Sequence, residues 1–154
     1  MSLVRQILIA ESPASPMTSR PEVRAVPGKG LEGDRYFASV GTFSPTPPKP
    51  DYELTFIEEE KIQAFAQEFS IPFTSFHARR NIVTAGLSLN DLVGKEFYVG
   101  DVRIRGIRLC EPCSYLAKTS FDETLRGLVH KGGLRAQILS EGVIHVGDAI
   151  HIAP

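Results

Sequence analysis

The sequence predicts a mainly β domain: a bent mixed sheet or barrel-like core with a few helices packed outside it. Three observations predict it. Short runs rich in β-branched and aliphatic residues recur along the whole chain. Two of the joints between such runs fall on Gly-Asp pairs, Gly100-Asp101 and Gly147-Asp148, as in the corners of a closed or strongly bent sheet. The regular alternation of strand and helix that marks a doubly wound fold is missing.

Taken in order, "LVRQILIA" reads as a buried strand and "ESPASPMTSRP" as loop, because Ser-Pro pairs interrupt regular structure. "EVRAV" is a short alternating strand. "PGKGLEGDRYF" crowds glycines around a lysine and reads as a structured loop. Residues 39–51, "SVGTFSPTPPKPD", are proline-rich and poor in core formers, and are expected to be a mobile excursion. "YELTFI" resumes as a strand. "EEEKIQAFAQEF" places Ile62, Phe65, Ala66 and Phe69 at helical spacing behind an acidic first turn, so it reads as an amphipathic helix. "HARRNIVTAG" reads as a loop entering a strand that Gly86 ends.

In the second half, "KEFYVGDVRIRGIRL" reads as two strands, the second pointing Val102, Ile104 and Ile107 inward and Arg103 and Arg105 outward. "CSYLAKTSFDETLRGLVHKGG" predicts a short helix and then a second one, capped at Ser120 or Asp122 and ended by Gly132-Gly133. "GVIHVGDAIHIA" repeats the strand-corner-strand device.

A chain of 154 residues is one domain by size. A formal net charge of -1 leaves no electrostatic footprint for duplex DNA or an anionic membrane. No apolar run approaches the roughly 20 residues of a membrane span. No signal-peptide pattern opens the sequence, and two cysteines are too few for a disulfide framework. The expected location is cytoplasmic, with reduced thiols and no nucleic-acid or membrane partner.

Both cysteines lie in "RLCEPCSYLA". A zinc clip would need two of the scattered His77, His130, His145 and His151 to converge on the pair. A redox pair normally sits in a βαβ setting, which is missing here. A single reactive thiol agrees best with the local pattern. The strand "IRGIRL" ends before Cys110, Pro112 suits the first position of a helix, and Cys113 would then face unpaired backbone N–H groups that favour thiolate. Against this stands the ordinary fate of free cysteine as a small buried apolar residue.

Basic residues gather at three glycine or strand-entry loops: Lys29 and Arg35 in "GKGLEGDRY", the guanidinium groups of "ARRNIVT", and Lys131 and Arg135 in "HKGGLRA". Neither the P-loop nor the dinucleotide fingerprint is present. Arginine forks bind phosphate and carboxylate bidentately, so the loops sketch a pocket for a small anionic ligand with a thiolate at one end. Asp34 is read as orienting Arg35 or capping the loop, Asp101 and Asp148 as turn residues, and Glu58 to Glu60 as a charge patch at a helix start.

The ordered set "GLEGDRY", "RRNIVTAG", "LVGKEFYVGD", "CEPC" and "GGLRAQIL…GVIHVGDAI" resembles the MOSC domain, the C-terminal domain of molybdenum cofactor sulfurase. The resemblance runs from about residue 28 to 152 and implies one MOSC domain over residues 1–154, with a β-rich, barrel-like core. It also implies one functional cysteine, in Pro112-Cys113, whose thiolate carries sulfur or ligates the molybdenum of a pterin cofactor (molybdopterin). The family's Arg-x-Asn element matches Arg79 and Asn81; Arg35, Lys131 and Arg135 are further cofactor-binding candidates. The role of Arg80 stays open. No desulfurase or reductase module accompanies the domain, so a sulfur donor or electron donor would be a separate protein. Two functions follow: a molybdenum-dependent oxidoreductase acting on N-hydroxylated small molecules, or a non-catalytic module delivering sulfur or cofactor to a partner enzyme.

Overall fold

The computed structural model describes residues 1–13, 15–39, 41, 44–47, 49–111, 120–121, 123 and 127–154. Its strands are β1 (Leu3–Ile9), β2 (Thr18–Arg20), β3 (Glu22–Val26), β4 (Gly30–Leu31), β5 (Leu54–Glu58), β6 (Ile82–Ala85), β7 (Glu96–Val99), β8 (Val102–Leu109), β9 (Leu134–Ile138), β10 (Gly142–His145) and β11 (Ile150–Ile152). Helices α1 (Glu59–Phe69) and α2 (Ser75–Ala78) lie between β5 and β6. The β-dominated fold class stands.

An eight-stranded sheet runs β11-β7-β8-β9-β5-β6-β1-β2, and a three-stranded sheet runs β10-β3-β4. The larger sheet curls until its two ends meet. The Val4 amide donates to the Asp148 carbonyl at 2.9 Å, Ile150 donates to Ser2 at 2.9 Å, and Gly147 donates to Val4 at 2.8 Å. The first half of β1 thus binds the approach to β11, and its second half binds β2. Inside the curl sit Val4, Ile7, Phe56, Phe97, Ile104 and Leu134, all fully buried. β5 and β6 pair in parallel, which needs a crossover, and α1 and α2 supply it. Ile62 and Phe65 of α1 pack with Leu8, Ile57 and Val83 on the outer face of the sheet, as the helical spacing predicts.

Four expectations are corrected. Thr18–Arg20, read as loop, pairs with Ile7–Ile9. A sheet-edge pair needs only backbone groups, and these three exposed side chains carry no alternation to read. His77 and Ala78 belong to α2, whose Thr74 and His77 form a reciprocal cap. A bulge between Gly106 and Arg108 turns Ile107 partly outward and Gly106 inward, where a Cβ would overlap the Leu92 carbonyl. Finally, the two Gly-Asp corners differ. Gly100-Asp101 closes a true hairpin between β7 and β8. At Gly147-Asp148 the chain leaves β10, which pairs with β3, for β11, which pairs with β7. β1 occupies that corner and prevents the hairpin.

The paired helices expected within 113–133 fall largely outside the described residues. No described helix is long and apolar enough to cross a membrane.

Candidate functional site

At one rim of the curled sheet, the residues just before β6 lie beside the end of β1 and the start of β5, and Arg80 among them reaches across β5 to the end of β8 and the approach to β9. Asn81 ties three of these together. It is 4 % exposed. Its side-chain N–H donates to the Leu8 carbonyl at 3.1 Å, and its Oδ1 accepts from the Thr55 amide at 3.1 Å and hydroxyl at 3.2 Å. The Asn81 amide in turn donates to the Thr55 hydroxyl at 3.0 Å. The short polar side chain just before β6 thereby replaces the ladder bonds that β1 and β5 lack there.

Arg79, the residue after α2, takes a left-handed backbone with φ 55°. Its guanidinium donates to the carbonyls of Ser15 at 3.0 Å and Pro13 at 3.2 Å, so it holds the segment that follows β1. Arg80 turns inward and is 9 % exposed. It donates to the carbonyls of Gly132 at 2.8 Å, Cys110 at 3.2 Å and Ala78 at 3.2 Å. Carbonyl dipoles alone receive this buried cation; no carboxylate pairs with it among the described residues.

Cys110 ends β8, is 1 % exposed, and donates its amide to the Gly133 carbonyl at 2.7 Å. Gly133 has φ +112°, and a Cβ there would overlap the Phe56 carbonyl oxygen, so only glycine lets β9 start this close to β5. Beyond Cys110, the Glu111 carboxylate accepts from the His130 amide at 2.7 Å and meets the His130 Nδ1 at 2.9 Å. The chain leaving Cys110 and the chain returning at His130 to Gly133 are therefore bound to each other and to Arg80. Cys113, in between, lies outside the described residues.

Arg135 stacks over Tyr52, with the guanidinium 4.7 Å from the ring centre, and has no carboxylate partner among the described residues. Arg108 approaches the same ring at 5.8 Å and is paired with Asp51 at 2.7 Å. Lys131 is exposed. Arg35 sits across the end of β1 and is nearly buried. It pairs with Asp34 at 3.1 Å, as the sequence predicts, and contacts Met17 Sδ at 3.6 Å. Asp34 also accepts from the Ala10 amide at 3.1 Å.

The rim thus brings together Arg79, Asn81, Arg135 and Cys110, with Arg35 joined through Ala10 and Met17. Arg80, left open by the sequence, is its buried centre. Tyr52, Asp51 and Arg108 were not singled out at all. The signal for them was the alternation of Arg103, Arg105 and Arg108 along β8, which the bulge shifts onto the rim. No cluster of metal-ligating side chains occurs among the described residues.

Fold and rim together define a small, barrel-like β domain with a cationic mouth beside a cysteine-bearing segment. The family model of the MOSC domain matches residues 42–151, and the chain belongs to that family. MOSC domains are generally linked to molybdenum cofactor sulfurase-like function. Among solved structures, the YuaD protein from Bacillus subtilis superimposes with a TM-score of 0.79 at 15 % identity, covering 99 % of this chain and 96 % of that one. YiiM from Geobacillus stearothermophilus gives 0.77 at 17 % identity, covering 100 % of this chain and 76 % of that one. YiiM from Escherichia coli gives 0.70 at 19 %, covering 100 % and 70 %. These likenesses carry the fold. No curated protein matches the chain.

Proposed function

We propose that the domain binds a molybdenum–pterin cofactor at this rim, with Cys113 as its metal ligand or as a sulfur carrier. The observation that carries the reading is Arg80: a buried cation that meets only carbonyls among the described residues, bonded to both ends of the segment that contains Cys113. The donor chemistry fits the group. A phosphate suits guanidinium forks, and a soft metal suits thiolate. Cys113 is three positions along the chain from Cys110, a reach of at most about 11 Å for an extended chain. When bound, the cofactor supplies two-electron chemistry suited to reducing N-hydroxylated small molecules.

The chain's own residues have separate tasks in this reading. Arg80 supplies positive charge and fixes the base of the cysteine segment. Arg79 holds Pro13 and Ser15 beside the anion, while Arg135 and Lys131 add charge at the mouth. Asn81 and Arg35 act by holding the strands and loop that carry the others, since their own polar atoms are bonded to Leu8, Thr55 and Asp34. Electrons or sulfur come from a separate protein.

The test is molybdenum per chain after expression in a cofactor-producing host, for wild type and Cys113→Ser. Metal in the wild type that falls at least about tenfold in the variant supports ligation by Cys113. Equal metal in both overturns ligation. A persulfide on Cys113 without turnover of any N-hydroxylated substrate identifies the delivery role instead.

A further inference from the structure

Residues 28–29 and 36–37 and the described residues Ser39, Ser44, Pro45 and Lys49, to which the cofactor reading gives no task, line a cavity of about 190 Å³. Lys29, Tyr36, Lys49, Tyr52 and Glu53 are among the residues that line it. Glu53 is the unusual member. It is 6 % exposed, and its Oε1 accepts from the Ile138 amide at 3.0 Å and the Gly28 amide at 3.3 Å. Its Oε2 makes no hydrogen bond among the described residues. Burial pushes this carboxyl above its ordinary range, against the lowering by its two backbone hydrogen bonds. No side-chain oxygen is both buried and unbonded among the described residues, so this oxygen is within reach of solvent and open to a donor from a ligand.

The lysines point to the rest of the ligand. Lys29 lies over the Phe37 ring at 5.4 Å, and neither it nor Lys49 forms an ion pair among the described residues. Two ammonium groups against one carboxylate leave the cavity short of one negative charge. Tyr36 and Tyr52, with ring centres 6.2 Å apart, give it aromatic walls.

We infer that this cavity binds a small aromatic carboxylate carrying an N–H donor, with the carboxylate between Lys29 and Lys49 and the donor on Glu53 Oε2. The site adjoins the cationic rim through Tyr52 but does not depend on whether Cys113 holds a metal.

The test uses the full chain without cofactor and three probes, titrated by calorimetry or by protein-observed NMR. The probes are 4-aminobenzoate, benzoate, which lacks the donor, and aniline, which lacks the anion. A ligand of this size is expected to bind with a Kd of about 1 mM. 4-Aminobenzoate should bind about fivefold tighter than benzoate and at least about tenfold tighter than aniline. The double variant Lys29→Ala/Lys49→Ala should weaken both carboxylates by about tenfold. Glu53→Gln keeps an oxygen for Gly28 and Ile138 but presents N–H to the cavity, so it should abolish the preference for 4-aminobenzoate over benzoate. No saturable binding of either carboxylate overturns the inference. So does aniline binding as well as 4-aminobenzoate, or undiminished affinity in the lysine variant, whose exposed side chains leave folding intact.

Discussion

Replacing Asn81 by alanine separates a scaffold role from a ligand-contact role. In the structure the carboxamide satisfies the Leu8 carbonyl and the Thr55 amide and also accepts from the Thr55 hydroxyl. Truncation strands two backbone groups in a place that is 4 % exposed. Each unsatisfied buried group costs about 1–3 kcal/mol, and the Thr55 hydroxyl can turn to another acceptor, so the expected loss is about 3 kcal/mol. That is a large share of the roughly 5–15 kcal/mol of a domain this size. Urea unfolding of cofactor-free wild type and Asn81→Ala at neutral pH measures it. Thr55→Val, run alone and with Asn81→Ala, should show coupling of about 1 kcal/mol, because the two side chains share bonds. A loss below about 0.5 kcal/mol would refute the reasoning: the side chain would then not be holding the strands together.

Three further outcomes are expected. Gly133→Ala forces a Cβ onto the Phe56 carbonyl at φ +112°, and should destabilise the domain by about 4 kcal/mol or abolish soluble expression; a melting temperature near wild type would contradict that contact. In Cys113→Ser the remaining thiol, Cys110, is 1 % exposed, so iodoacetamide should modify it only after denaturation. The third concerns pH. Burial raises the Glu53 carboxyl above 4.5 in the folded protein, so the native state holds its proton more tightly than the unfolded chain. Stability from this group is therefore greatest at acid pH and falls as pH rises from about 4.5 through the raised value, staying lower at neutrality. Glu58, raised by burial as well, has the same sign. Glu53→Gln should thus gain on wild type as pH climbs through that window, read by urea unfolding at several pH values; a constant difference across it would contradict the shift.

Much of the sheet was legible because burial imposes a period of two on β8 and a period of 3.6 on α1. Val102 and Ile104, or Ile62 and Phe65, announce their faces. What stayed hidden depended on backbone pairing or on partners far apart in sequence. β2 pairs through main-chain atoms and leaves three exposed, pattern-free side chains. At the bulge, Gly106 faces the Leu92 carbonyl with no room for a Cβ, a contact with a residue outside β8 that no local rule anticipates. Arg79 and Asn81 were visible through a motif, yet that motif does not say that the Asn81 amide is fully engaged by Leu8 and Thr55. The sequence leaves the role of Arg80, between them, open. Only the convergence of residues 78, 110 and 132 makes it a buried hub.

The joining of β1 to the approach to β11 has a kinetic consequence. The third and fourth residues find their neighbours near position 148, so the curl has no free edge there only once almost the whole sequence has been synthesised. A nascent chain can pair β1 with β2 and β6 well before then, but one edge of its first residues stays open until residues 147–150 arrive. Such distant pairing makes refolding slow for a domain of this length, and clipping a few residues from either end should speed unfolding out of proportion to the contacts removed.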